Sequence, residues 1–302
     1  MTDSKDFEVI IIGGSYAGLS AAMALGRSLR RVLIIDSSMP CNRQTPHSHN
    51  FITHDGETPS DIARKAKAEV LKYETVSFIN DTAISGKRLD GGFTIVTQSG
   101  KELYAKKLIF ATGIKDTMPD IKGFADCWGI SVIHCPYCHG YEFKNKHTGI
   151  LADGAKAFHL ASLVNNLTDK LTLFTKNKAA LTEEQNIKLQ QHNIPIIDSD
   201  IAEIEHTNGY INNVIFSDGT SRPYDAIYAA LPFTQHSDIP VSLGCELNEH
   251  GYIKVTSMQE TTVDGVFACG DNTNMMRALA NAVYAGNVAG AVVNAKLVED
   301  SF

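Results

Sequence analysis

The residues in this sequence best equipped for covalent chemistry are two cysteines. They lie in the run Cys135-Pro136-Tyr137-Cys138-His139-Gly140-Tyr141-Glu142. C-x-x-C spacing lets two thiols close a short-loop disulfide and lowers the pKa of one of them. His139 follows the second cysteine directly, where an imidazole can shuttle a proton to or from a thiolate near neutral pH. A hydrogen-bonded loop histidine is the other reading of that position. His134 and His139 flank the pair, which raises the question of zinc. Structural zinc usually draws on a second ligand pair at finger-like spacing, and no second C-x-x-C or H-x3–5-H follows. No metal is therefore expected, and redox work is the preferred reading of the pair. The other four cysteines, Cys41, Cys127, Cys245 and Cys269, have no close partner in sequence.

A redox pair needs elements that hold an electron carrier, and the N-terminal stretch has their pattern. Val9 to Ile12 is an apolar run that ends in Gly13-Gly14-Ser15-Tyr16-Ala17-Gly18. A helical pattern follows (Leu19, Ala22, Met23, Leu25), then a second strand-like run from Arg31 to Ile35 that ends in Asp36. Strand, Gly-rich turn, helix, strand, acid is the order of a dinucleotide-binding βαβ unit. Gly13 permits the tight turn, and Gly18 lets the helix approach the strand. The helix N-terminus offers N–H groups to a pyrophosphate. Asp36 is placed to accept from ribose hydroxyls. Ser15 replaces the middle glycine of the pattern; its hydroxyl can donate to phosphate.

The pattern recurs. Thr82 to Gly113 and Ile201 to Pro232 each read as a hairpin-rich meander followed by a buried strand. Ahead of the second meander, His147 to Leu151 reads as a strand, and Ala152-Asp153-Gly154-Ala155-Lys156-Ala157 takes the place of the turn. Phe158 to Asn166 reads as helix and Leu171 to Phe174 as the next strand. Two such units imply two dinucleotides, one per unit.

Composition agrees with a globular enzyme. The 302 residues suggest about two domains. Hydrophobic residues make up 43% and charged residues 20%, which argues against disorder. The formal charge of −7 disfavours nucleic acid and anionic membranes as partners. No apolar run reaches the ~18 residues of a membrane span. Met1 to Glu8 lacks the basic start and apolar stretch of a secretory signal, so a cytoplasmic, reducing setting is expected. Six cysteines are too few for a disulfide scaffold.

In their order along the chain, Gly13 to Gly18, Ala111-Thr112-Gly113, the C-x-x-C and Gly270-Asp271 resemble the low-molecular-weight thioredoxin reductases and their relatives. The resemblance covers nearly the whole sequence. It implies an α/β fold of two Rossmann-like three-layer domains, each a βαβ unit plus a β-meander, the second inserted into the first. The FAD domain would comprise residues 1–116 and 245–302, and the NAD(P)H-binding-like domain residues 117–244. Hinges would lie near Lys115-Asp116 and Gly244-Cys245. The resemblance assigns FAD to Gly13, Gly14, Ser15, Ala17, Gly18, Asp36, Ala111, Thr112, Gly113, Gly270, Asp271, Arg277 and Ala278. In such proteins Cys138 would face the flavin, Cys135 would attack the substrate disulfide, and His139 would handle the proton. A homodimer is also implied.

Two departures bear on function. The family's NADPH turn is a run of glycines followed by Asp-Ser-Ala; here Gly154 and Ala157 fit, while Asp153 brings negative charge to the place of a pyrophosphate. The cluster that grips a 2′-phosphate is replaced by Thr175-Lys176-Asn177-Lys178, where Lys176 offers a point charge without the bidentate grip of arginine. The donor is thus NADPH, NADH or another reductant. The run C-P-Y-C-H-G-Y-E is also similar to a subgroup that includes fungal dithiol oxidases. The expected function is an FAD-dependent reductase of a thioredoxin-like protein or small disulfide. The alternatives are an oxidase that passes electrons from a small dithiol to oxygen, and a flavoprotein served by a non-nicotinamide donor. A His-rich run, His47-Ser48-His49-Asn50, is left as a surface loop.

Overall fold

The computed structural model describes residues 7–175 and 180–302. Contacts gather the chain into two units. One consists of residues up to Arg43, Ser60–Lys115 and Thr234–Phe302; the other consists of Gln44–Pro59 and Asp116–Phe233.

In the first unit the near-continuous apolar runs become strands buried on both faces, as parallel strands covered by helices must be. Phe7–Ile12 pairs in parallel with Val32–Asp36 on one side and with Glu102–Phe110 on the other. Val76–Asn80 extends the sheet beyond Val32–Asp36, and Val266–Ala268 pairs in parallel with the C-terminal half of Glu102–Phe110. The antiparallel strands Ala83–Leu89 and Gly92–Thr97 complete a seven-stranded sheet. The helix Tyr16–Arg27 follows the first strand and packs against the C-terminal helix Leu279–Glu299. Glycine makes that approach possible. A Cβ on Gly286 would strike the Ala17 carbonyl, and one on Gly290 the Ala21 carbonyl. Ser20 Oγ donates to the Val283 carbonyl at 2.7 Å across the same contact.

The second unit repeats the plan. Thr148–Leu151, the helix Gly154–Val164 and Leu171–Phe174 form the βαβ core of a five-stranded parallel sheet, completed by Ile196–Ile197, Ala226–Ala229 and Val132–Ile133. Alternation along the strands assigns neighbours to opposite faces. Val132, Phe174 and Ile227 join the cluster under the meander; Ile133, Leu173 and Tyr228 join the cluster under the helices. The two meanders differ in one respect. In the first unit the meander runs directly into the long strand Glu102–Phe110 and shares its sheet. In the second, Ile201–Thr207, Tyr210–Phe216 and Ser221–Pro223 form a sheet of their own. Pro223 has no N–H to continue a ladder, and the strand stops there.

The unit boundaries differ from the sequence expectation in two places. The chain returns to the first unit at Thr234 instead of Cys245. Ile239 and Cys245 are buried in the first unit's core beside Ile95 and Ile253. In addition, the loop 44–59 groups with the second unit, where Gln44 Nε2 donates to the Ala125 carbonyl at 3.4 Å. No helix among the described residues is long and apolar enough to cross a membrane.

Candidate active site

Cys135 and Cys138 are joined as a disulfide, with their Cα atoms 5.3 Å apart. Local sequence explains the placement. Cys135 is extended and caps the four-residue helix Pro136–His139, whose first position is proline, where a missing N–H costs nothing. The Cys138 N–H donates to Cys135 Sγ at 3.2 Å. Gly140 closes the turn, and a Cβ there would strike the Pro136 carbonyl. Tyr137 and Tyr141 stand exposed around the pair. His139 has its pKa lowered by burial; the Glu142 carboxylate acts against that and His49 acts with it.

The remaining cysteines are poor nucleophiles wherever they are buried. Burial pushes the Cys127 thiol up to about 11, Cys245 upward, and Cys269 up to about 12. Cys41 is exposed. Among the described residues, no group of three or more His, Cys, Asp or Glu side chains is placed to hold a metal ion.

The first unit collects its predicted residues at the C-terminal ends of adjacent parallel strands, the place where open α/β sheets bind ligands. Gly13, at φ +104°, follows Phe7–Ile12, and a Cβ there would strike the Ala111 carbonyl at the end of Glu102–Phe110. On Gly14 a Cβ would lie 2.8 Å from the Asp36 Cβ, and on Gly18 it would strike the Gly13 carbonyl. The Gly14 N–H donates to Asp36 Oδ1 at 2.8 Å and the Ser38 N–H to Asp36 Oδ2 at 3.1 Å, which fixes the carboxylate at the turn. Ser15 is the N-cap of Tyr16–Arg27, makes no side-chain capping bond, and is followed by no acidic residue in the first turn. This helix end therefore offers its dipole to an anion, with no acidic side chain in its own first turn.

Gly270, at φ +90°, follows the strand Val266–Ala268, with Asp271 after it. Asp271 Oδ2 lies 3.9 Å from Arg277 Nε, and Ala278 caps the C-terminal helix. Asn272, fully buried, donates from Nδ2 to the Phe110 carbonyl at 2.8 Å and to Thr112 Oγ1 at 3.4 Å. That ties the two strand ends together beside Gly113. Its Oδ1 and the Oε1 of Gln235 are buried acceptors with no hydrogen-bond partner among the described residues. A close-approach glycine turn, a helix N-terminus and buried acceptors fit a dinucleotide.

The second unit's turn fits one less well. Gly154 has φ +56°, and Ala157 is buried under the helix. Asp153, the N-cap, accepts a hydrogen bond from Thr175 Oγ1 on its Oδ1 at 2.7 Å. A carboxylate is thus held at the helix end where a pyrophosphate would need to sit. Lys176, the expected phosphate contact, lies outside the described residues.

Several of these residues carried no role in the sequence reading. Asn272 adjoins the Gly270-Asp271 motif, and Glu142 closes the C-P-Y-C-H-G-Y-E run. His49 and Thr175 had no local signal pointing to their partners.

The family description "Pyridine nucleotide-disulphide oxidoreductase" matches residues 7–286. Thioredoxin reductase tcpT of Claviceps purpurea is 31% identical, over 99% of this chain and 97% of that protein. Thioredoxin reductase aclD of Aspergillus oryzae is 32% identical, over 97% of each. Among solved structures, an oxidoreductase from Agrobacterium tumefaciens is 33% identical with a TM-score of 0.90, covering 97% of this chain and 99% of that one. With its disulfide at a C-x-x-C and its two βαβ units, the chain belongs to the pyridine nucleotide-disulphide oxidoreductase family.

Proposed function

We propose that the protein is an FAD-dependent disulfide oxidoreductase of the thioredoxin reductase type. In this reading it moves electron pairs from NAD(P)H to a thioredoxin-like protein or a small disulfide through Cys135 and Cys138. The observation that carries the reading is the disulfide itself, set on a short helix with His139 directly after it. FAD, when bound, supplies the two-electron relay between a hydride donor and a disulfide. Gly13, Gly14, Ser15, Ala17, Gly18, Asp36, Ala111, Thr112, Gly113, Gly270, Asp271, Arg277 and Ala278 are the residues proposed to hold it.

The chain's own part is thiol chemistry. In the dithiol form the Cys135 thiolate attacks one sulfur of the substrate disulfide; a mixed disulfide forms and the other substrate sulfur leaves as a thiolate. The Cys138 thiolate then attacks Cys135 Sγ, which closes the enzyme disulfide and releases the second substrate sulfur. His139 takes the proton from the attacking Cys138 thiol and returns it to a departing thiolate. We propose a cytoplasmic setting, as the sequence reading expects, and a homodimer, as the family resemblance implies.

One observation favours a second reading, in which a small dithiol reduces the enzyme disulfide and oxygen is the final acceptor. Asp153, bonded to Thr175, sets a negative charge at the second unit's turn. Anaerobic titration of the purified yellow protein with NADPH and then NADH, followed by flavin absorbance, separates the two. Bleaching by a stoichiometric nicotinamide supports the reductase. Bleaching only by a dithiol, with peroxide formed on admission of air, supports the oxidase. In either case Asp153→Gly should tighten nicotinamide binding about two- to fivefold, the worth of one charge at a helix N-terminus.

A further inference from the structure

The His-rich run left as a surface loop is a constructed part of the second unit. The Ser48 N–H donates to the Glu57 carbonyl and the Gly56 N–H to the Ser48 carbonyl, both at 2.8 Å. The Asn50 N–H donates to Asp55 Oδ1 at 2.8 Å, and His47 Nδ1 lies 3.0 Å from the Gly56 carbonyl oxygen. Held in this way, the loop points one imidazole at the redox peptide. His49 Nε2 stands 3.5 Å from Glu142 Oε1, and His49 Nδ1 stands 3.7 Å from Asp55 Oδ1. Its side chain is 22% exposed, against 69% for Asp55. Glu142 lies three residues beyond His139 and four beyond Cys138.

We infer that His49 is a positioning residue for the redox pair: backed by Asp55, it anchors the Glu142 carboxylate, and the anchored carboxylate stabilises the imidazolium that forms when His139 takes the proton of Cys138. The inference rests on the proposed reading only in taking Cys135 and Cys138 as the reacting pair. It holds for either direction of electron flow.

Charged and titratable groups bear on this cluster from several elements. Glu142 acts on His139 and on Tyr228, a fully buried tyrosine whose hydroxyl has no hydrogen-bond partner among the described residues and whose pKa is raised by burial and by Glu142. His49 and burial oppose protonation of His139. The His47 ring centroid is 6.4 Å from that of His49, and Lys144 Nζ sits 3.7 Å over the ring of Tyr141, on the other side of Glu142 in sequence. An imidazolium next to Cys138 favours its thiolate. Removing Glu142 should therefore make the thiolate harder to form by way of His139. Glu142 acting directly on the sulfur would do the reverse, because a carboxylate repels a thiolate. His49 acting only as a like charge on His139 would also give the reverse of anchoring. The signs of the shifts thus discriminate.

The test uses the full-length flavoprotein, reduced with dithiothreitol and desalted anaerobically. Alkylation of Cys135 and Cys138 by iodoacetamide is measured across pH by peptide mass spectrometry, so the readout is thiolate formation and not turnover. Glu142→Gln should raise the alkylation midpoint by about half a pH unit or more. His49→Ala should raise it in the same direction by less, and the double variant should match Glu142→Gln alone. His49→Gln, whose amide can still donate to the carboxylate, should restore the wild-type midpoint. In a His139→Gln background neither substitution should raise it. Thermal melts check folding, and if His49→Ala does not fold, His49→Asn, too short to reach Glu142, takes its place. A midpoint lowered or unmoved by loss of either Glu142 or His49, or additive shifts in the double variant, would overturn the inference.

Discussion

At the scale of the residue, the environment of His139 decides what it can do. Burial disfavours the imidazolium, and the neighbouring carboxylate of Glu142 offsets only part of that, so the net pKa is lowered. A base with a lowered pKa stays neutral further into acid. The limb of the kcat/KM profile that reports neutral His139 therefore rises with pH at a midpoint below the ordinary 6.5. His139→Gln should lower kcat/KM by about 10²–10⁴ and remove that limb. A pH-rate series on both proteins checks this, and a limb that survives in the variant would assign it to another group. The same scale explains why three of the four cysteines outside the pair are not proposed to react. Cys127 and Cys269 are fully buried, which holds their thiols protonated, and so is Cys245 apart from a few per cent.

At the scale of the element, close approach governs the first unit. A glycine inside a helix costs about 1 kcal/mol relative to alanine. Leu279–Glu299 nonetheless carries Gly286 and Gly290 on the face toward Tyr16–Arg27, because a Cβ at either position would strike a carbonyl of that helix. Tyr16–Arg27 begins at the proposed phosphate turn, so the crossing also fixes where its N-terminus points. Gly286→Val should lower stability by about 1–3 kcal/mol, the range for overpacking, with a lower Tm and weaker flavin retention. Asn287→Ala, on the exposed side of the same helix, should leave both unchanged. Equal Tm values for the two variants would show that the crossing has room to spare. The apolar periods and glycines of these helices are legible in sequence. Which glycine meets which carbonyl is not, since the partners lie at opposite ends of the chain.

At the scale of the whole molecule, the chain changes unit at four places, after Arg43, Pro59, Lys115 and Phe233. The first unit is therefore assembled from three separated stretches, and the proposed FAD residues come from all three. A ligand that binds only the assembled unit stabilises it by mass action. FAD added to flavin-stripped protein at a hundredfold its Kd should stabilise it by about 2.7 kcal/mol. NADPH at the same concentration should give a smaller rise in Tm, because Asp153 opposes a phosphate at the second turn. Differential scanning calorimetry with each ligand measures both, and an equal or larger shift from NADPH would refute the account of Asp153.

Local spacing alone determined the C-x-x-C pair, the turn from Gly13 to Gly18 with Asp36 beyond it, and the repeated βαβ-plus-meander plan; the discontinuity of the first unit was implied by the family resemblance. Each feature read from spacing is a matter of neighbouring residues or of period along one element, which a linear text preserves. The return point at Thr234, the carboxylate of Asp153 held by Thr175, the buried acceptors of Asn272 and Gln235, and the meeting of His49 with Glu142 were decided only by the tertiary structure. Those contacts join residues that are distant in the chain, and the packing of separate elements, which sequence spacing does not encode, is what brings them together.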